Sequence, residues 1–155
     1  IGVLAASSRE GVAPRVIDGF LEGLRDRGWI EGQNITIEWR WAEGKLDRFP
    51  SLAAELVGLN VSVIVVPNLV GTLAARKVTE TIPIVMVVPD DPAQTGLVAS
   101  LARPGGNITG LTYTVGLDII GKQLELLRDT VPGLSRVAFL GNPDSPLHAR
   151  MLAEA

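Results

Sequence analysis

The side chains with reactive chemistry in this 155-residue chain are few and scattered, and their spacing favours holding a ligand over transforming one. Asp90 and Asp91 are adjacent, so in a loop their carboxylates splay, and an acid/base pair or a cation site would need partners that nothing nearby supplies. Their structural role is an Asx-type turn ahead of Pro92; their functional role is to accept a hydrogen bond from a ligand's amino group. His148 is the single histidine and cysteine is absent, which removes the usual zinc sets, thiol catalysis and disulfides and gives no ground for assigning His148 a triad role. Gly116-Leu-Asp-Ile-Ile-Gly-Lys122 nearly spells a phosphate-binding loop but lacks the Ser or Thr after the lysine. Ile119, Ile120, Gln123, Leu124 and Leu127 instead fit a helix packed on a sheet. No Gly-x-Gly-x-x-Gly follows a strand-like run, so no dinucleotide or other cofactor and no metal are expected.

Short apolar runs must position whatever site exists. Strands are expected at Ile1–Ala6, Ile35–Trp41, Val61–Val66, Ile82–Val88 and Ile108–Leu111. They alternate with helices near Ala13–Arg27, Leu46–Leu59, Val70–Thr79 and Thr95–Ala102. This alternation predicts an α/β fold with a doubly wound, mostly parallel sheet. Val16, Ile17, Phe20, Leu21 and Leu24 form a stripe at spacings of three and four, with Gly28 as the C-cap signal. Pro50 falls in a first helical turn, where proline is tolerated. Trp39 and Trp41, two apart, share one face of the second strand and read as packing. The pattern restarts at Leu111–Val115, with a helix near Leu117–Thr130, a strand Arg136–Leu140 and a helix entering at Asp144–Pro146.

In such a sheet, ligands bind beyond the carboxyl ends of the strands. The loops there are Ala6-Ser-Ser-Arg9, Pro67-Asn-Leu-Val70 and Pro89-Asp-Asp-Pro92. Hydroxyls and helix amino termini in these loops suit a carboxylate, so Ser7, Ser8, Asn68 and the segment through Leu69 and Val70 are the candidates, with Asp90 and Asp91 on the same rim. Ser and Asn also serve as caps and turn formers at such positions. The three Asn-x-Ser/Thr sequons, at Asn34, Asn60 and Asn107, carry no functional weight.

Composition narrows the class. The net charge is −3 (14 basic against 17 acidic residues) and is spread without long runs, so no nucleic-acid footprint is expected. The apolar runs are far shorter than the roughly 20 residues that span a bilayer. A chain of this length buries roughly 70% of its unfolded surface, enough for one domain. No signal peptide is visible and Ile1 falls inside a strand, so a trimmed amino end is expected.

Phe20-Leu-Glu-Gly-Leu-Arg-Asp-Arg-Gly-Trp-Ile-Glu-Gly-Gln-Asn-Ile-Thr-Ile-Glu-Trp-Arg40, Ala42–Lys45, Leu52–Leu56, Thr81–Val85, Gly96-Leu-Val-Ala-Ser-Leu-Ala-Arg-Pro-Gly-Gly-Asn-Ile-Thr-Gly110 and Gln123–Leu127 together resemble the substrate-binding proteins of a bacterial ABC transporter family. Its members include tryptophan- and tyrosine-type amino-acid binders. The resemblance runs nearly end to end. It implies a periplasmic-binding-protein type I lobe over 1–111, and a crossover with an incomplete second lobe over 112–155. It implies a non-enzymatic receptor that closes two lobes on a small ligand, hinging near 110–116, and partners an ABC permease in the membrane from the periplasm, with a lipid anchor as one way of being held there. Tyr113 and Thr114 then fall at the crossover as ligand or hinge residues, and Asn142 and Asp144 face the cleft from the second lobe. The family commonly has Gly-Thr-Pro-Ala where this chain has Asn68-Leu-Val-Gly71, so Leu69 replaces a hydroxyl, and Asn68 or backbone amides must take its place. Strand 136–140, lacking neighbours, is expected to drive a homodimer or strand exchange through the truncated second lobe. The competing readings are a cytoplasmic sensor domain of a regulator and, third, a small flavodoxin-like enzyme, which lacks a convergent nucleophile, base and orienting group.

Overall fold

The computed structural model describes residues 1–88, 91–113, 118–140 and 152–153. Two compact units divide the chain, Ile1–Thr112 and Tyr113–Ala155.

The first unit holds strands β1 (Gly2–Ala5), β2 (Glu38–Trp41), β3 (Ile64–Val66), β4 (Ile84–Val88) and β5 (Ile108–Thr112) and helices α1 (Pro14–Arg25), α2 (Phe49–Gly58) and α3 (Leu69–Val78). The strands form one sheet of order β2-β1-β3-β4-β5, and every pairing is parallel. The α/β fold read from the alternating pattern is therefore present, with helical crossovers carrying the chain from β1 through β4.

Period-two alternation sorts the strand residues onto two unequal faces. Leu4, Ile64, Val66, Ile84, Met86, Val88 and Ile108 point into a core completed by Phe49, Leu52, Ala53 and Leu56 of α2, Ala74 and Ala75 of α3, and Leu97 and Val98. Gly2 belongs to this face, since a Cβ there would lie 2.9 Å from Leu56 Cδ2. The opposite face carries Val3, Ala5, Trp39, Trp41, Val65 and Val87 and meets Val16, Ile17 and Phe20 of α1 around an apolar hollow of about 240 Å³. Trp39 and Trp41 stack with ring centroids 5.1 Å apart, and Phe20 meets Trp39 edge-on at 6.1 Å. The expected inward stripe of α1 is only half-covered. No α1 residue is fully buried, and Val16 is 59% exposed.

Caps behave largely as composition dictates. The Gly28 N–H donates to Arg25 O and the Trp29 N–H to Leu24 O, with Gly28 at φ +81°; this is the Schellman closure that a glycine after a helix makes possible. Pro50 lies in the first turn of α2. Asn34 closes the next turn, accepting from Ile30 N–H at 2.7 Å and donating to Gly28 O at 2.7 Å. Asn107 donates to Thr79 O and Ile82 O, fastening the entry of β5 to the α3–β4 connection.

Three expectations need correction. The helix near Thr95–Ala102 is absent. Residues 92–102 are turns and bends, because Gly96 turns to φ +69° and the Leu97 and Val98 amides fold back on Pro92 O. Leu97 and Val98 still reach the core, so the apolar pattern was real and its period misleading. The second strand begins at Glu38 and the third at Ile64, shorter than expected. No strand forms at 136–140. Among the described residues of the second unit no strand is available to pair it, and Val137, Phe139 and Leu140 are exposed.

In the second unit α4 spans Asp118–Thr130. Asp118 to Gly121 are already helical, so most of the near phosphate-loop string cannot form a phosphate cradle. The helix entering at Asp144–Pro146, and His148, lie outside the described residues.

Candidate functional site

The chain leaves β1 to β2 on one side and passes to β3 on the other, so the strand order reverses between β1 and β3. At such a reversal the two connections diverge and leave a crevice at the carboxyl edge. The loops bordering it are those after Ala5 and after Val66.

Asn68 builds the β3 side. Its backbone is extended (φ −163°, ψ 154°) while its side chain caps α3, and Oδ1 accepts the Gly71 N–H at 2.6 Å. The Asn68 carbonyl accepts both the Thr72 N–H at 3.2 Å and the Thr72 hydroxyl at 2.7 Å. Gly71 makes this tight start feasible. A Cβ there would meet Val66 Cγ1 at 2.8 Å, Asn68 Oδ1 at 2.9 Å and Phe49 Cε1 at 3.0 Å. Leu69 and Val70 turn their side chains against the core, while their N–H groups lie in the first helical turn, where no intrahelical acceptor exists. The positive end of the helix dipole adds to these donors. The Asn68 Nδ2 atom is buried and has no hydrogen-bond partner.

On the β1 side, Ser8 Oγ and Ser8 O both receive the Gly11 N–H at 3.1 Å, so this hydroxyl closes a turn. Ser7 is half-buried. The loop is tied to the exit of β2 by the Gly44 N–H donating to Ala6 O at 2.8 Å. Beyond β4, Asp91 Oδ1 accepts the Ala93 N–H at 2.9 Å and the Gln94 N–H at 3.4 Å, the Asx turn read ahead of Pro92. Its second oxygen remains for other contacts.

The structure thus places Ser7, Ser8, Asn68, Leu69 and Val70 on the carboxyl edges of adjacent strands. Asp91 follows β4. Tyr113 stands just past β5 and is 69% exposed. Asp90, Thr114, Asn142 and Asp144 lie outside the described residues. Sequence reasoning passed over Gly71 and Thr72, which shape the α3 start, although Asn68 three residues ahead of a glycine is N-cap spacing that could have pointed to them. Among the described residues no cluster of three or more His, Asp or Glu side chains could hold a metal ion, and no helix is long and apolar enough to cross a membrane.

A parallel sheet of this order, with the α3 amino terminus and short polar side chains on the loops bordering its reversal point, defines an open α/β domain of the doubly wound kind. The chain belongs to the ABC transporter substrate binding protein family, whose model matches residues 1–154. It is 32% identical over 124 residues to a tyrosine-binding protein of Clostridioides difficile (strain R20291), covering 80% of this chain and 35% of that protein. Among solved structures it is similar to a conserved domain protein from Vibrio cholerae (TM-score 0.80, 27% identity, 99% of this chain and 52% of that one). It is also similar to a ligand-free, open substrate binding protein with adhesive properties from Clostridium difficile (TM-score 0.72, 25% identity, 99% of this chain and 50% of that one). The fold matches a third structure, an ABC domain in complex with L-Trp from Streptococcus pneumonia, at TM-score 0.68 and 22% identity, over 83% of this chain and 43% of that one. The chain therefore spans about a third of the curated relative and about half of the solved ones.

Proposed function

We propose that this chain supplies the first lobe, residues 1–111, and the crossover into the second, from 112, of the solute-binding component of an ABC importer. In this reading it is a receptor without catalytic activity that works outside the cytoplasm. It binds a small carboxylate-bearing solute such as an amino acid between two lobes and presents the closed form to a membrane permease. The observation that carries the reading is the α3 start at the strand-order reversal, where first-turn amides follow the strand next to the one that leads to Ser7, and where Asn68 Nδ2 is buried without a partner. Such an arrangement takes a carboxylate without a cation. The tyrosine-binding relative and the L-Trp complex support an amino acid as the solute. Leu69 offers no hydroxyl, so backbone amides and Asn68 carry the polar contacts on this side. Asp91, with one oxygen uncommitted to its turn, accepts from the ligand's amino group, and Asp90 is the alternative acceptor of the same loop. Tyr113 and Thr114, at the crossover where hinge closure takes place, and Asn142 of the second lobe are the remaining ligand residues of this reading.

The test is a thermal-shift screen of a protein carrying both lobes over amino acids, small peptides and organic acids, followed by calorimetry on any hit. Stabilisation of several degrees by one solute class is expected. A shift with nucleotides or flavin and none with these solutes would overturn the reading.

A further inference from the structure

We draw no further inference here: the strongest candidate, the wholly apolar hollow of about 240 Å³ between α1 and the sheet face carrying Val3, Val65, Trp39 and Trp41, carries nothing, because nothing in the structure shows what would fill it.

Discussion

The two ends of the Asn68 carboxamide are in opposite situations. Oδ1 is engaged at 2.6 Å with the Gly71 amide, whereas Nδ2 is buried without a partner, and a buried donor left unsatisfied costs about 1–3 kcal/mol. Substitutions separate the two roles. Asn68→Ala removes the cap and should lower stability by about 1 kcal/mol. Asn68→Asp keeps an acceptor for Gly71, and its charge suits a helix amino terminus, so the melting temperature should stay close to that of the parent. If Nδ2 serves the ligand, Asn68→Asp should nonetheless weaken calorimetric affinity at least tenfold, because a donor becomes a like charge facing a carboxylate. Unchanged affinity in a folded Asn68→Asp protein would reduce Asn68 to a helix cap. Gly71 is the second informative position. Its absent side chain leaves room for Val66, Phe49 and the cap, so Gly71→Ala should destabilise by roughly 1–3 kcal/mol through overpacking, read from the urea midpoint.

Elements differ in how firmly they are held. α2 and α3 place Phe49, Leu56 and Ala75 at zero exposure, while α1 buries no residue completely. A helix with little buried apolar contact opens at low free energy. Amide hydrogen exchange should therefore be faster in α1 than in α2 and α3, and equal protection across the three would contradict this ranking. β5 depends on a different feature. Gly110 has φ +151°, and a Cβ there would overlap the carbonyl oxygen of Met86, its register partner on β4. Gly110→Ala should thus lift the last strand of the first unit from the sheet and destabilise it by roughly 2–3 kcal/mol, measurable by urea denaturation. A near-neutral substitution would mean that β5 adds little to the unit.

At the scale of the whole molecule, two surfaces govern behaviour. The α1 side of the sheet holds an apolar hollow, and the second unit exposes Val137, Phe139 and Leu140. Apolar exposure of this kind promotes association, so the 155-residue chain should self-associate at micromolar concentration, as light scattering coupled to size-exclusion chromatography would show. The cause differs from the unpaired strand that the sequence pattern implied, since no strand forms at 136–140. If ligand is shared between two lobes, this chain should also bind at least 100-fold more weakly than a protein carrying both lobes by calorimetry; equal affinity would place the whole site in the first lobe.

Much of this was legible in one dimension because the relevant forces are local. Alternating apolar runs, Pro50 in a first turn and Gly28 after a helix act through backbone geometry within a few residues, so the sequence alone determined the α/β class, the five parallel strand positions to within a few residues, and the rim loops holding Ser7 and Asn68. It misjudged Thr95–Ala102 because Leu97 and Val98 are apolar for the core's sake, and burial demands apolarity whichever backbone delivers it. The tertiary structure alone decided that β1 and β3 are neighbours, that Gly71 must be bare because Val66 and Phe49 converge on it, and that α1 is only half-seated. Each of these depends on atoms far apart in the chain being brought together, and residue type carries no record of that.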